Sequence, residues 1–270
     1  MRPDAIIKTL EDAGFEARYV GGCVRDTLLD RPIHDWDIAS QALPEDVLRL
    51  FPHCVPTGIR HGTVTVLLDG VSAEVTTYRL DGAYHDGRHP DGVRFVRSLA
   101  EDLARRDFSI NAMAMDESGA VTDLFGGRED LSRRVIRCVG DPAERFAEDA
   151  LRMLRALRFA ARLSFRIDGE TAAAIHAART RLRAVAPERL HKELSGILCG
   201  RQAAALLEEF SDVLFELIPE LAPCQGFRQY NPHHTRDVWT HTLAVVDGVP
   251  PEEPLRLAAL LHDAGKPATF

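Results

Sequence analysis

With 270 residues, 45% of them hydrophobic and 27% charged, the chain has an ordinary globular composition and supports one large domain or two smaller ones. No apolar run is long enough to span a bilayer, which excludes a membrane-crossing helix. The formal charge of −8 excludes a uniformly basic nucleic-acid binder, but the distribution of charge matters more than its sum.

The opening stretch, MRPDAIIKTLEDAGFEARYV, sets acids inside its apolar pattern and predicts an amphipathic helix, not a secretion signal. Residues 15–20 read as a strand that ends in Gly21-Gly22, residues 24–29 as the helix that follows, and residues 35–39 as a second strand. Residues 61–68 and 71–78 flank Asp69-Gly70, a strong hairpin signal. Gly82, Gly87, Pro90 and Gly92 interrupt the polar run 79–98, which predicts a mobile loop. From Asp141 onward the period is helical: Pro142 opens a helix, and 148–163, 169–183 and 187–198 follow. The expected fold is therefore an α/β head followed by an all-α half. Five cysteines (Cys23, Cys54, Cys138, Cys199, Cys224) form no CxxC pair, as in a reduced cytoplasmic protein with inert thiols. Only Lys8, Lys192 and Lys266 are lysines among 33 basic residues, and arginine's planar fork suits phosphate and base contacts where it clusters.

Three clusters carry chemistry. In the first, Gly21-Gly22-Cys23-Val24-Arg25-Asp26 precedes Asp35-Trp36-Asp37. Residues i and i+2 of a strand share a face, so both carboxylates point one way. Such a pair repels itself unless a cation sits between, and Mg²⁺ takes a few carboxylates together with substrate phosphates. The arrangement suits two-metal phosphoryl or nucleotidyl transfer. The Gly-Gly turn lets backbone amides approach a triphosphate at a helix N-terminus, and Arg25 reaches the same phosphates. Glu74 lies on the strand face opposite Ala73, Val75 and Thr77; it is either a third metal ligand or a solvated edge residue.

The second cluster is RRDFSINAMA (105–114), two arginines beside an aspartate at the head of a predicted helical run, with Arg106 as an anion ligand or as part of a helix-capping arrangement. The third is EDALRMLRALR (148–158). Three residues apart on a helix, Asp149 and Arg152 share a face. They are either a surface salt bridge or a base reader. A carboxylate accepting from an exocyclic amino group and a guanidinium donating to a ring nitrogen fit cytosine and adenine, and mispair with uracil and guanine.

GGCVRDTLLDRPIHDWDIAS, RRDFSINAMAMD, DLFGGREDL and EDALRMLRALRFAARL together resemble the class II tRNA nucleotidyltransferases of the polymerase-β superfamily, over residues 15–200 in order and spacing. The resemblance implies a polymerase-β-like head with a mixed sheet (1–137), a helical neck that recognises the nucleobase (138–200) and a helical body (201–270). It implies metal ligands at Asp35 and Asp37 for Mg²⁺, with nucleotide contacts at Gly22, Arg25, Arg106, Asp149, Arg152, Arg155 and Arg158. The implied activity is addition of C and A to the 3′ end of tRNA from CTP and ATP, with no membrane or obligate protein partner. Residues 78–90 resemble the family's flexible loop, present in members that add the terminal A. Enzymes that add only A remain an alternative. Bacterial poly(A) polymerases share the head, but their GRRFR-type stretch is missing.

Downstream, HHTRDVWTHT (233–242) and LLHDAGK (260–266) resemble an HD-type metal phosphohydrolase, with His241, His262 and Asp263 as metal ligands. The sequence ends before the final aspartate of such a domain, so no hydrolase activity is expected. A nucleotide sensor without turnover is a third class, opposed by the intact Asp35/Asp37 pair.

Overall fold

A computed structural model of the chain describes residues 2–68, 70–82, 92–229 and 236–269. The chain forms two compact units: residues 1–133 with 137–141, and residues 134–136 with 142–270.

The first unit contains helix α1 (Asp4–Asp12), strand β1 (Ala17–Val20), α2 (Gly22–Leu28), β2 (Trp36–Ser40), α3 (Pro44–Leu50), β3 (Cys54–Gly58), β4 (Thr63–Leu68) and β5 (Val71–Thr77). A short pair, β6 (Arg79–Asp81) and β7 (Val93–Phe95), is followed by α4 (Leu99–Ala104), β8 (Met113–Met115), β9 (Val121–Asp123) and α5 (Gly127–Arg133). Seven strands join in the order β3-β4-β5-β2-β1-β8-β9. β2 and β5 run parallel and the other neighbours antiparallel, so the sheet is mixed as expected.

One face of this sheet is apolar and helix-covered. Ile6, Ile7 and Leu10, spaced on one side of α1, are fully buried, and so are Tyr19, Val64 and Val75. The other face carries Asp37, Glu74 and Thr65, because side chains alternate along each strand. Part of it is closed by a cluster of Val20, Ala39, Tyr78, Leu103 and Ala114, with Leu99 of α4 packed on it. The hairpin holds: Leu68 pairs with Val71 across the turn, of which Asp69 lies outside the described residues.

The run 79–98 differs from a simple loop. Its ends pair as β6 and β7, with Leu80 opposite Arg94, and the ring of Phe95 packs where a side chain on Gly62 would go. Two alternating triplets suffice for this ladder, and the glycines between them dominated the sequence signal. Residues 83–91 lie outside the described residues, as does most of the expected loop motif.

The second unit holds β10 (Val135–Ile136), α6 (Pro142–Glu148), α7 (Leu151–Leu163), β11 (Arg166–Ile167), α8 (Gly169–Ala178), α9 (Pro187–Leu198), α10 (Ala203–Glu209), α11 (Ser211–Leu217), α12 (Val238–Gly248), α13 (Glu253–Leu261) and α14 (Lys266–Thr269). It is all-helical apart from the parallel β10-β11 pair. Asp168 caps α8 by accepting from the amides of Glu170 and Thr171 at 3.1 and 3.3 Å. Helix 148–163 is broken at Asp149-Ala150, and the helix expected to reach 183 gives way to a 3₁₀ turn at Arg179–Ala184. No helix among the described residues is long and apolar enough to cross a membrane.

A Cβ on Gly127, at the head of α5, would overlap the carbonyl oxygen of Ser109 and lie 2.9 Å from Met113 Cγ. Gly127→Ala is therefore expected to lower stability by about 1–3 kcal/mol, as overpacking does. Thermal unfolding of the variant checks this, and an unchanged midpoint would contradict the close approach.

Candidate active site

Asp37 lies in β2, one residue beyond its start, and Asp35 just precedes the strand. The parallel register sets Asp37 beside Glu74 of β5. Glu74 points away from buried Ala73, Val75 and Thr77, which leaves it on the face of Asp37. The carboxyl of Asp37 is pushed up to about 6, first by burial and then by the charge of Glu74; Asp35 adds to this and Arg106 and Arg25 offset part of it. Negative charge is thus concentrated here beyond what the nearby arginines neutralise. The oxygen chemistry of these carboxylates fits a hard divalent cation such as Mg²⁺, but Asp35, Asp37 and Glu74 are not gathered within 4.8 Å of one another.

Gly21 turns the chain from β1 into α2 with φ of 72°, a left-handed conformation that favours glycine. A Cβ there would lie 3.2 Å from Arg106 Nη1 and 3.5 Å from Asp37 Oδ2. Gly21, more than Gly22, is therefore where the backbone passes closest to the carboxylate. Arg25, one turn into α2, is buried; it binds Asp26 through Nε (3.0 Å) and Nη2 (2.8 Å) and donates from Nη1 to Asn111 Oδ1 at 2.8 Å.

Arg105 and Arg106 do not open a helix. They follow the C-terminus of α4, where positive charge suits the helix dipole, and lead through the 3₁₀ turn Ser109–Asn111 into β8. Asp102, fully buried in α4, ties both down. Its Oδ1 accepts from Arg105 Nε at 3.0 Å and Nη2 at 2.7 Å, and its Oδ2 from Arg106 Nη2 at 3.0 Å. Burial opposes ionisation of Asp102, but the Arg106 and Arg105 guanidiniums outweigh it and hold the carboxyl below the usual range. Arg106 Nε is buried with no hydrogen-bond partner. A buried N–H next to this site is complementary to an anionic oxygen, as a triphosphate would supply. Sequence alone gives Asp26 and Asn111 no role within their motifs and does not single out Asp102. The i+3 and i+4 spacing of Asp102 to Arg105 and Arg106 was the available signal.

In the second unit Asp149 and Arg152 take different partners, so the plain salt-bridge alternative is not realised. Asp149 sits in the break between α6 and α7, where Oδ1 accepts from the Leu151 amide at 3.0 Å and Oδ2 from Arg189 Nη2 at 2.8 Å. Arg152, buried, pairs with Glu148 and donates to the Arg145 carbonyl oxygen at 3.3 Å. The helix break moves Asp149 off the face that an unbroken helix would give it. Arg155 lies 5.6 Å from the Phe159 ring centroid. Arg158 pairs with buried Glu193, lies 4.4 Å over Phe159, and packs where Gly196 leaves room.

Among the described residues, His241, His262 and Asp263 form the one group of three His, Cys, Asp or Glu side chains with ligand atoms all within 4.8 Å of one another. Asp263 Oδ2 is 3.2 Å from His262 Nε2, 3.8 Å from His241 Nε2 and 2.7 Å from the ammonium of Lys266. The carboxylate oxygen a cation would take is thus already engaged by a cationic side chain. His233 and His234 lie outside the described residues.

Comparison with known proteins accords with the head geometry. Residues 17–137 match the family "Poly A polymerase head domain" and residues 164–224 the "Probable RNA and SrmB-binding site of polymerase A". The chain is 49% identical over 228 residues to the CCA-adding enzyme of Lactobacillus helveticus, covering 84% of this chain and 57% of that protein. It thus spans little more than half the length of that curated relative. The crystal structure of the Bacillus stearothermophilus CCA-adding enzyme in complex with CTP is 38% identical with a TM-score of 0.75, over 98% of this chain and 69% of that one. A tRNA nucleotidyltransferase complexed with a primer tRNA and an incoming ATP analog is 27% identical with a TM-score of 0.65, over 89% and 74%.

The raised Asp37 fixes the sign of one pH effect. The folded chain binds this proton more tightly than the unfolded one, so stability falls as pH rises from the ordinary 3.8 through about 6 and stays reduced above. One pKa unit corresponds to about 1.4 kcal/mol, and partial solvent access trims the total to roughly 2 kcal/mol. Without divalent cations, Asp37→Asn is expected to raise the unfolding midpoint at pH 8, with the gain vanishing near pH 4. No gain at pH 8 would refute the crowding of charge around Asp37.

Proposed function

The chain belongs to the class II tRNA nucleotidyltransferases, the CCA-adding enzymes, and we propose that it adds C and A, without a template, to the 3′ end of tRNA from CTP and ATP. The carrying observation is Asp37, raised by burial beside Glu74 and Asp35, with Arg106 and the Gly21 backbone against it. Asp35 and Asp37 would hold Mg²⁺, with Glu74 beside them as the further carboxylate. When bound, the metal supplies positive charge to a nucleophilic and a departing oxygen.

The chain's own residues do the rest. Arg106, steadied by Asp102, offers its unsatisfied Nε to the triphosphate, and the turn at Gly21-Gly22 brings backbone close to it. Arg25, oriented by Asp26 and Asn111, adds positive charge on the same side. The 3′-hydroxyl of the RNA gives up its proton to solvent, and its oxygen forms a bond to the α-phosphorus as the bond to pyrophosphate breaks. These arginines stabilise the charge that develops on the leaving group.

Base choice falls to Asp149 and Arg152. Their separate partners, Arg189 and Glu148, support this role, since each side chain is positioned independently of the other. Arg155 and Arg158 complete the nucleotide contacts in this proposal, Arg158 acting through its seat on Phe159. The five free cysteines suit a reducing cytoplasm.

An extension assay with Mg²⁺ tests the function. The protein is expected to lengthen tRNA lacking CCA by C, C and A and then stop. Growth of CC-ended tRNA alone, with ATP alone, would replace this by A addition. Asp35→Ala is expected to abolish extension while leaving thermal stability intact; retained activity would overturn the metal assignment. Arg152→Ala is expected to admit UTP and GTP and to weaken CTP and ATP, with about a tenfold or greater loss of discrimination per hydrogen bond removed. Unchanged discrimination would remove Arg152 from base reading.

A further inference from the structure

The order of the strands separates two sides of the carboxylates. Gly21, at the turn after β1, and Arg106, which leads into β8, lie against Asp37 from the β1–β8 side of β2. On the other side the sheet continues through β5 and β4 to the β3 edge. The registers align Asp37 with Glu74, Glu74 with Thr65, and Thr65 with Val55, one row across four strands. In an in-line displacement, nucleophile and leaving group occupy opposite sides of the phosphorus. With the leaving pyrophosphate on the arginine side, the nucleophile arrives from the β5–β4–β3 side.

We propose that the open face of β3, β4 and β5 beyond Glu74 seats the 3′-terminal nucleoside of the RNA being extended, through Thr57, Thr65 and Ser72 and the exposed side chains of Val55 and Leu67. The chemistry of the face selects this occupant. Thr57 and Thr65 hydroxyls lie 2.9 Å apart and Thr63 and Thr76 hydroxyls 3.0 Å apart. Each such pair uses one O–H internally and keeps one O–H donor and several lone pairs, which match the two ribose hydroxyls. Val55 and Leu67 are each 47% exposed on the same face, an apolar bed for a base or sugar. None of the five residues is basic, in a chain with 33 lysines and arginines, so the patch suits a neutral nucleoside and not a phosphate. This seat deepens the proposed nucleotidyl transfer and rests on it.

The test is a KM split on the full chain with CC-ended tRNA and ATP. Thr65→Val keeps the β-branched shape and removes the hydroxyl, and Val55→Glu puts a negative charge on an exposed edge position. Thr65→Val is expected to raise KM for the RNA about fivefold to tenfold, the loss of about one hydrogen bond, and Val55→Glu to raise it further. KM for ATP and the preference for ATP over UTP stay as in the unsubstituted protein. A rise in KM for ATP with none for the RNA, or no change in either, overturns the seat while the transferase activity stands. Absence of extension by the unsubstituted protein overturns the activity and the seat together. Should either variant unfold, the unsubstituted protein is irradiated with tRNA carrying a photoreactive 3′-terminal nucleotide. Cross-links within residues 54–76 support the seat, and cross-links elsewhere overturn it.

Discussion

Everything in the head turns on a local excess of negative charge. Asp37 and Glu74 are side by side because β2 and β5 run parallel in that register, and burial denies Asp37 the water that would screen it. Such a site is costly to keep, and the surrounding architecture answers that cost without cancelling it. Arg106 and Arg25 approach Asp37, yet each is anchored to an acid of its own: Arg106 to Asp102, Arg25 to Asp26. An arginine that fully neutralised Asp37 would leave nothing for a cation to bind. By tying the guanidiniums to other acids, the head keeps the carboxylate short of positive charge and keeps the arginines aimed at a shared space.

The same economy recurs in the second unit. Asp149 and Arg152, three residues apart, avoid each other and take Arg189 and Glu148. Breaking the helix at Asp149-Ala150 is what makes the diversion possible, since Asp149 then serves the amide of Leu151 instead of lying along the helix surface.

Much of this was legible in the sequence. The Gly21-Gly22 turn, the two carboxylates two residues apart and the hairpin around Gly70 are local patterns, set by backbone sterics and strand alternation. Glu74 was legible only halfway: alternation told which face it takes, but the partner strand beside it is a tertiary fact. Asp26 and Asn111 stood inside the quoted motifs without a role, and Asp102 outside them, because all three act by holding other residues. The β6-β7 pair was hidden by the glycines it encloses, and the break at Asp149 by the strong helical period on both sides. Arg105 and Arg106 were placed at the wrong end of a helix because basic residues beside an acid fit either terminus until the packing of Asp102 decides.

The stretch that leaves the head has a consequence of its own. The chain exits at residue 133, lends Val135 and Ile136 to a strand pair with β11 in the second unit, and returns for residues 137–141 before leaving again. On its return Arg137 binds Asp130 at 2.7 Å and the Phe125 carbonyl oxygen at 2.8 Å. Its own carbonyl oxygen accepts from the Ser109 amide, and the Val139 amide donates to the Asp107 carbonyl oxygen. The chain thus crosses between the two units three times within residues 133–142. A gene-level exchange of heads at any single point here strands a piece of one unit on the other.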